Sequence, residues 1–289
     1  MKTFLLMIAF FTRLPVPQVA YSEERYKKGL KLMPFVGVLI GLILYALSFL
    51  RFLFSPAVVA LILLSGYIFI TGGLHLDGLA DTCDGMFSGR EPERILEIMK
   101  DSRVGSFGVL AMLFFFLFYF VMYQYIPYEA LILFPVVGKS APLVSAYNAD
   151  YARPSGMGKT LVENIGKREY AIALLVPVIL SLLVPFSIAL CGGTVFTGAD
   201  LSPGAIAASE KGAGLLSAVG LSLFGEGCGL AFTAAVVYLT ASVAGLLAAA
   251  AATQWFKKKI GGVTGDTLGM VCELSQMVFV GAVYALYAV

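Results

Sequence analysis

Residues 77–85 read DGLADTCDG and set Asp77, Asp81 and Asp84 at i, i+4 and i+7. On a helix these three fall within an arc of about 60° on one face, spread along about 10 Å of axis. Carboxylates that close repel one another and are costly to bury, so the pattern asks for cations: a divalent metal, Lys or Arg partners, or both. A solvated polar helix end is the plainer alternative, weakened because Asp is a poor former of helix interiors. The same connection carries Glu91, Glu93, Glu97 and Asp101, followed by KDSRVGSFG, where Lys100 and Arg103 stand beside the start of a long apolar run. Carboxylates on one side and cations on the other suit a phosphate-bearing substrate. Ordinary anchoring at a membrane edge competes as the explanation for either cation alone.

A second acidic pair lies in GGVTGDTLGMVCELSQ, where Asp266 and Glu273 are again i and i+7. Glu273 then sits about 10 Å further along one face, inside an otherwise apolar run, where an acid is a functional candidate. Gly261, Gly262 and Gly265 let the backbone approach a ligand, and Thr264 offers a hydroxyl and a helix cap. Lys139 stands mid-run in PVVGKSAPL. An unpaired ammonium there is expensive, so it is expected either to pair with a carboxylate such as Glu273 or to reach a phosphate. His75, the only histidine, directly precedes the aspartate stripe and is open to a metal, phosphate, base or structural role. GMGKT at 156–160 and GKS at 138–140 lack the leading glycine of a phosphate loop, with Arg153 and Leu133 in its place. Arg153 and Lys159, on the Gly/Pro-shaped ARPSGMGK, remain candidates for holding an anion.

The elements that must position these residues are set by composition. Of 289 residues 59% are hydrophobic and only 13% charged, with a mean hydropathy of +0.89. That excludes a soluble globular protein and requires several membrane spans. A formal net charge of +2 gives no bulk case for nucleic acid. The four cysteines show no CxxC spacing, so neither a zinc site nor a disulfide framework is indicated.

Apolar runs near 31–50, 57–76, 105–126, 131–149, 170–191, 229–252 and 267–288 predict an all-α polytopic bundle of about seven transmembrane helices. Basic residues concentrate at 16–30, 77–104, 150–169 and 253–266, all on one side of that topology. The positive-inside rule makes that side cytoplasmic and places the N-terminus there too. The first residues resemble a signal peptide, but their apolar stretch is short and lacks a small-residue cleavage site, predicting a retained interfacial or re-entrant segment. A Gly/Ala-rich external loop is expected at about 192–228, within one catalytic domain spanning 1–289.

With those residues in view, the chain resembles the cobalamin 5′-phosphate synthase family, also called adenosylcobinamide-GDP ribazoletransferase. The likeness rests on FFTRLPVP, GGLHLDGLADTCDGMFSG, ILEIMKDSRVGSFGVLA, YARPSGMGK and GGVTGDTLG, and so runs along essentially the whole chain. It departs from the family in the length of the 192–228 segment and in Lys139, where the family typically carries arginine. The resemblance implies an integral enzyme of a prokaryotic cytoplasmic (inner) membrane, with its active site facing the cytoplasm. That enzyme transfers the cobinamide phosphate of adenosylcobinamide-GDP to α-ribazole or its 5′-phosphate and releases GMP, in the nucleotide-loop assembly of cobalamin biosynthesis, with Mg²⁺ as cofactor.

On that reading Asp77, Asp81 and Asp84 hold Mg²⁺, and Asp84 or Asp266 accepts the hydroxyl proton. His75, Lys100, Arg103, Lys139, Arg153, Thr264 and Glu273 bind substrate. The partners are the corrinoid, α-ribazole and membrane lipid, with association with other cobalamin-assembly enzymes and self-association left open. A CDP-alcohol phosphotransferase is the nearest rival, but Asp77-Gly78-Leu79-Ala80-Asp81 lacks that family's Ala-Arg pair and later aspartate spacing. A cation or metabolite transporter, using Glu273 and Lys139, is the rival from another class.

Overall fold

A computed structural model describes residues 1–190 and 226–288. Twelve helices are described: α1 (Lys2–Phe11), α2 (Glu23–Gly29), α3 (Met33–Ser48), α4 (Pro56–Thr71), α5 (Leu74–Met86), α6 (Pro92–Ile98), α7 (Ser106–Met122), α8 (Ala130–Tyr147), α9 (Lys159–Asn164), α10 (Lys167–Leu190), α11 (Glu226–Ile260) and α12 (Gly265–Ala288). Among the described residues there is no β-strand, only one isolated bridge. The expected loop at 192–228 lies almost wholly outside the described residues.

The bundle is organised around α8, which is buried along nearly its whole length and packs against α3, α10, α11 and α12. Close approach to α3 depends on Gly37 and Gly41, one turn apart, where any Cβ would collide with the backbone of Pro135 and Ile132. Small residues that let two backbones touch are how helices associate where lipid removes the hydrophobic incentive. The outer helices show the converse pattern. Leu110, Leu113, Phe114 and Leu117 of α7, and Leu175, Ile179, Leu182 and Leu183 of α10, are exposed. Apolar surfaces of that kind are suited to hydrocarbon and not to water. The chain is therefore an all-α polytopic membrane protein.

Each of the seven apolar runs contains a helix, but the count of seven crossings is not established. Among the described residues five helical segments are long and apolar enough to cross a membrane, or six if α4 and α5 form one broken span. With 17 residues, α7 extends about 25 Å, short of a bilayer core of about 30 Å.

The break between α4 and α5 places the aspartate stripe. Gly72 and Gly73 both adopt left-handed backbone, with φ of 63° and 69°, and α5 leaves α4 at 91°. A side chain would be strained at either position. Instead of continuing the span, α5 packs against α7 and α12. Gly78 is pressed against the backbone of Asp266, where a Cβ would lie 2.8 Å from the carbonyl oxygen.

Candidate active site

The loop after α8 reaches the loop before α12 through backbone pairing. Val263 N–H donates to Asp150 O at 2.8 Å and Ala152 N–H to Val263 O at 2.8 Å, an approach that a Cβ on Gly262 would block. This pairing brings Arg153 onto Asp266, with Nη1 2.8 Å from Oδ2 and both side chains largely buried. Thr264 caps α12: its Oγ1 accepts from Thr267 N–H at 3.2 Å, while Thr267 Oγ1 accepts from Thr264 N–H at 2.7 Å. The reciprocal cap satisfies two otherwise orphaned donors and fixes the turn that presents Asp266. Thr264 is fully buried and works through the helix end.

Asp266 completes the acidic cluster begun on α5. Asp81 is half-buried, and burial, followed by the charges of Asp77, Asp266 and Asp84, pushes its carboxyl up to about 7 against the opposing pull of Arg153. This is a site short of positive charge. A hard divalent cation with oxygen ligands is what such a donor set fits. Asp84 stands apart from it. Its buried carboxylate accepts from Gly105 N–H at 2.7 Å and Gly108 N–H at 2.9 Å, capping the N-terminus of α7 from another helix.

Asp266 and Arg153 border a cavity of about 370 Å³. Asp77, Asp266, Arg153, Lys100 and His75 contribute its polar wall, and Phe10, Phe11, Tyr26, Met33 and Leu161 much of its apolar wall. Arg153 Nε is buried without a hydrogen-bond partner among the described residues, an orphaned donor that an anion would satisfy. Arg103 is turned elsewhere. It is exposed, forks onto Asp101 with Nη2 2.6 Å from Oδ2, and borders a neighbouring hollow whose wall includes Asp84. That hydrogen bond holds the Asp101 carboxyl down to about 2.

The candidates in the apolar runs meet in a separate knot. Lys139 Nζ lies 2.8 Å from His75 Nδ1, which itself lies 3.2 Å from Cys272 Sγ. The expected partner, Glu273, is instead held by Tyr67 OH at 2.8 Å and Gln276 Nε2 at 3.1 Å. The reason is helical phase: Cys272 and Glu273 are adjacent on α12 and face different neighbours, α5 and α4 respectively. Among the described residues His75, Cys272 and Glu273 are the one group of three potential ligands with all ligand atoms within 4.8 Å, and the Lys139 ammonium already lies against the Nδ1 of that imidazole.

Of the residues singled out in the sequence, Asp77, Asp81, Asp266 and Arg153 converge, Lys100 and His75 border the same cavity, and Lys139 and Glu273 lie behind it. Tyr67, Gln276 and Tyr151 were missed. Gln276 is a polar residue one turn beyond Glu273 in an apolar run, a signal present in the sequence. Tyr151, whose hydroxyl is pushed up by burial, gave no such signal.

The family described as cobalamin-5-phosphate synthase matches residues 3–284 of the chain. An adenosylcobinamide-GDP ribazoletransferase from Fusobacterium nucleatum subsp. nucleatum is 36% identical, covering 97% of this chain and 96% of its own. Proteins of the same name from Acetivibrio thermocellus and Alkaliphilus oremlandii are 37% and 33% identical, covering 96% and 100% of this chain and 96% and 99% of their own. No solved structure matches the chain.

Proposed function

The chain belongs to the cobalamin-5-phosphate synthase family, and from that premise we propose that it transfers the cobinamide phosphate of adenosylcobinamide-GDP to α-ribazole or its 5′-phosphate, releasing GMP. The observation that carries the reading to this site is the Asp266–Arg153 pair beside Asp77 on one cavity wall, with Asp81 close enough to feel the charges of all three. The ribazole 3′-hydroxyl oxygen attacks the phosphorus on the cobinamide side of the pyrophosphate. The bond from that phosphorus to the bridging oxygen breaks, and the oxygen leaves with GMP. Such transfers depend on alignment and charge stabilisation more than on covalent participation by the protein.

Asp77 and Asp81 are the residues that would hold Mg²⁺, which would supply charge neutralisation for the pyrophosphate oxygens. Arg153, with its unpartnered Nε, and Lys100 bind the remaining oxygens. Asp266 Oδ2 is engaged by Arg153 and lies 3.4 Å from Thr264 Oγ1, which leaves Oδ1 to accept the hydroxyl proton. Asp84 is the weaker choice of base because both of its oxygens already accept backbone N–H groups. The basic connections around the cavity support a location in a prokaryotic inner membrane with the site facing the cytoplasm.

The test is GMP release from adenosylcobinamide-GDP by purified protein with α-ribazole and Mg²⁺. Asp81→Asn is expected to abolish it. A wild-type rate and wild-type Mg²⁺ dependence in that variant would remove the carboxylate cluster from the reaction.

A further inference from the structure

The cavity has two chemically different walls, and the apolar one has no part in the phosphoryl chemistry. Three rings follow one another along it, Tyr26 to Phe10 at 5.1 Å and Phe10 to Phe11 at 4.9 Å between centroids, and lead at 5.9 Å from Phe11 to His75 of the polar wall. That histidine stands two residues before Asp77, where the acidic stripe begins. Met33 and Leu161 lie on the same cavity. Tyr26 is only 3% exposed and lines the same cavity.

We propose that this aromatic wall is the subsite for the flat bicyclic base of the ribazole, and that the corrin ring system stays outside it. The assignment rests on the transfer reaction proposed above. A cavity of about 370 Å³ is at the lower end of the range for small-molecule pockets, about 300–1,000 Å³. It has room for a base and its ribose but not for a corrinoid many times larger. Ring faces and edges favour a planar aromatic guest beyond simple area burial. The Tyr26 hydroxyl supplies a donor for an unglycosylated ring nitrogen. Seated there, the base directs its ribose towards Asp77, Asp266 and Arg153, where the hydroxyl must meet the pyrophosphate.

The experiment is steady-state GMP release by full-length protein in detergent, with each substrate varied in turn. Phe10→Ala is expected to raise KM for α-ribazole roughly tenfold, the loss of most of one aromatic contact, and to leave KM for adenosylcobinamide-GDP within about twofold. Tyr26→Phe, a conservative change that keeps the ring, raises the same KM about threefold to tenfold. A rise confined to adenosylcobinamide-GDP would put the corrinoid on this wall and overturn the assignment. No change in either KM, as for a wall covered by lipid tails, would overturn it as well while leaving the reaction intact. Should wild-type protein release no GMP at all, the reaction reading falls. Thermal stabilisation by α-ribazole then decides the subsite: stabilisation of wild type that is lost in Phe10→Ala supports it, and its absence in wild type overturns it.

Discussion

Two polar clusters lie about two turns apart on α12, and they are completed differently. Around Asp266 the charges are mismatched: Asp81 is pushed up by burial and by its acidic neighbours, and Arg153 keeps a buried donor unpartnered among the described residues. Around Glu273 the carboxylate has both Tyr67 and Gln276, and Lys139 has His75. A cluster with charge left over is suited to receive a ligand, whereas one satisfied internally ties α4, α5, α8 and α12 together. Hydrophobic runs supply the bulk of the fold, but internally satisfied polar contacts are what set the rotation of each helix about its axis.

The sharpest way to break this contrast is to treat one residue from each cluster alike. Asp266→Asn is expected to lower GMP release by about 10²–10⁴-fold with little change in detergent thermal stability. Tyr67→Phe is expected to do the reverse. It removes one of the two donors to Glu273 and costs about 1–3 kcal/mol of stability, read as a lower melting temperature, while folded protein keeps activity within about threefold. If Tyr67→Phe abolished turnover without loss of stability, the inner knot would belong to the chemistry.

Asp84→Asn probes the boundary between the clusters. As the cap of α7 it should lose about 1–2 kcal/mol of stability, with the Mg²⁺ concentration for half-maximal rate unchanged. A raised Mg²⁺ requirement would move Asp84 into the metal-binding set. The smallest effect is expected at the exposed pair. Asp101→Asn should leave both rate and melting temperature nearly unchanged, because solvent screens an ion pair of this kind.

Membrane character, the helical elements and the carboxylate spacing of the 77–85 stripe were legible in the chain itself, because apolar run length and carboxylate spacing are local properties. Asp77 and Asp81 could be picked from their i, i+4 interval alone. Their third partner could not. Asp84 belongs to the same stripe, but the N–H groups that claim it come from Gly105 and Gly108 on another helix. Lys139 was recognisable as needing a partner, and only packing decided between His75 and Glu273.

The sequence by itself determined that apolar helices enter the bilayer and where unpaired charge would be costly, since both follow from the transfer of short stretches out of water. Tertiary structure decided which charges meet. Arg153 reaches Asp266 across 113 positions because Gly262 admits the Asp150 backbone and Gly78 admits that of Asp266. Two backbones closing to contact distance is a property of the assembled bundle, and no spacing within one segment encodes it.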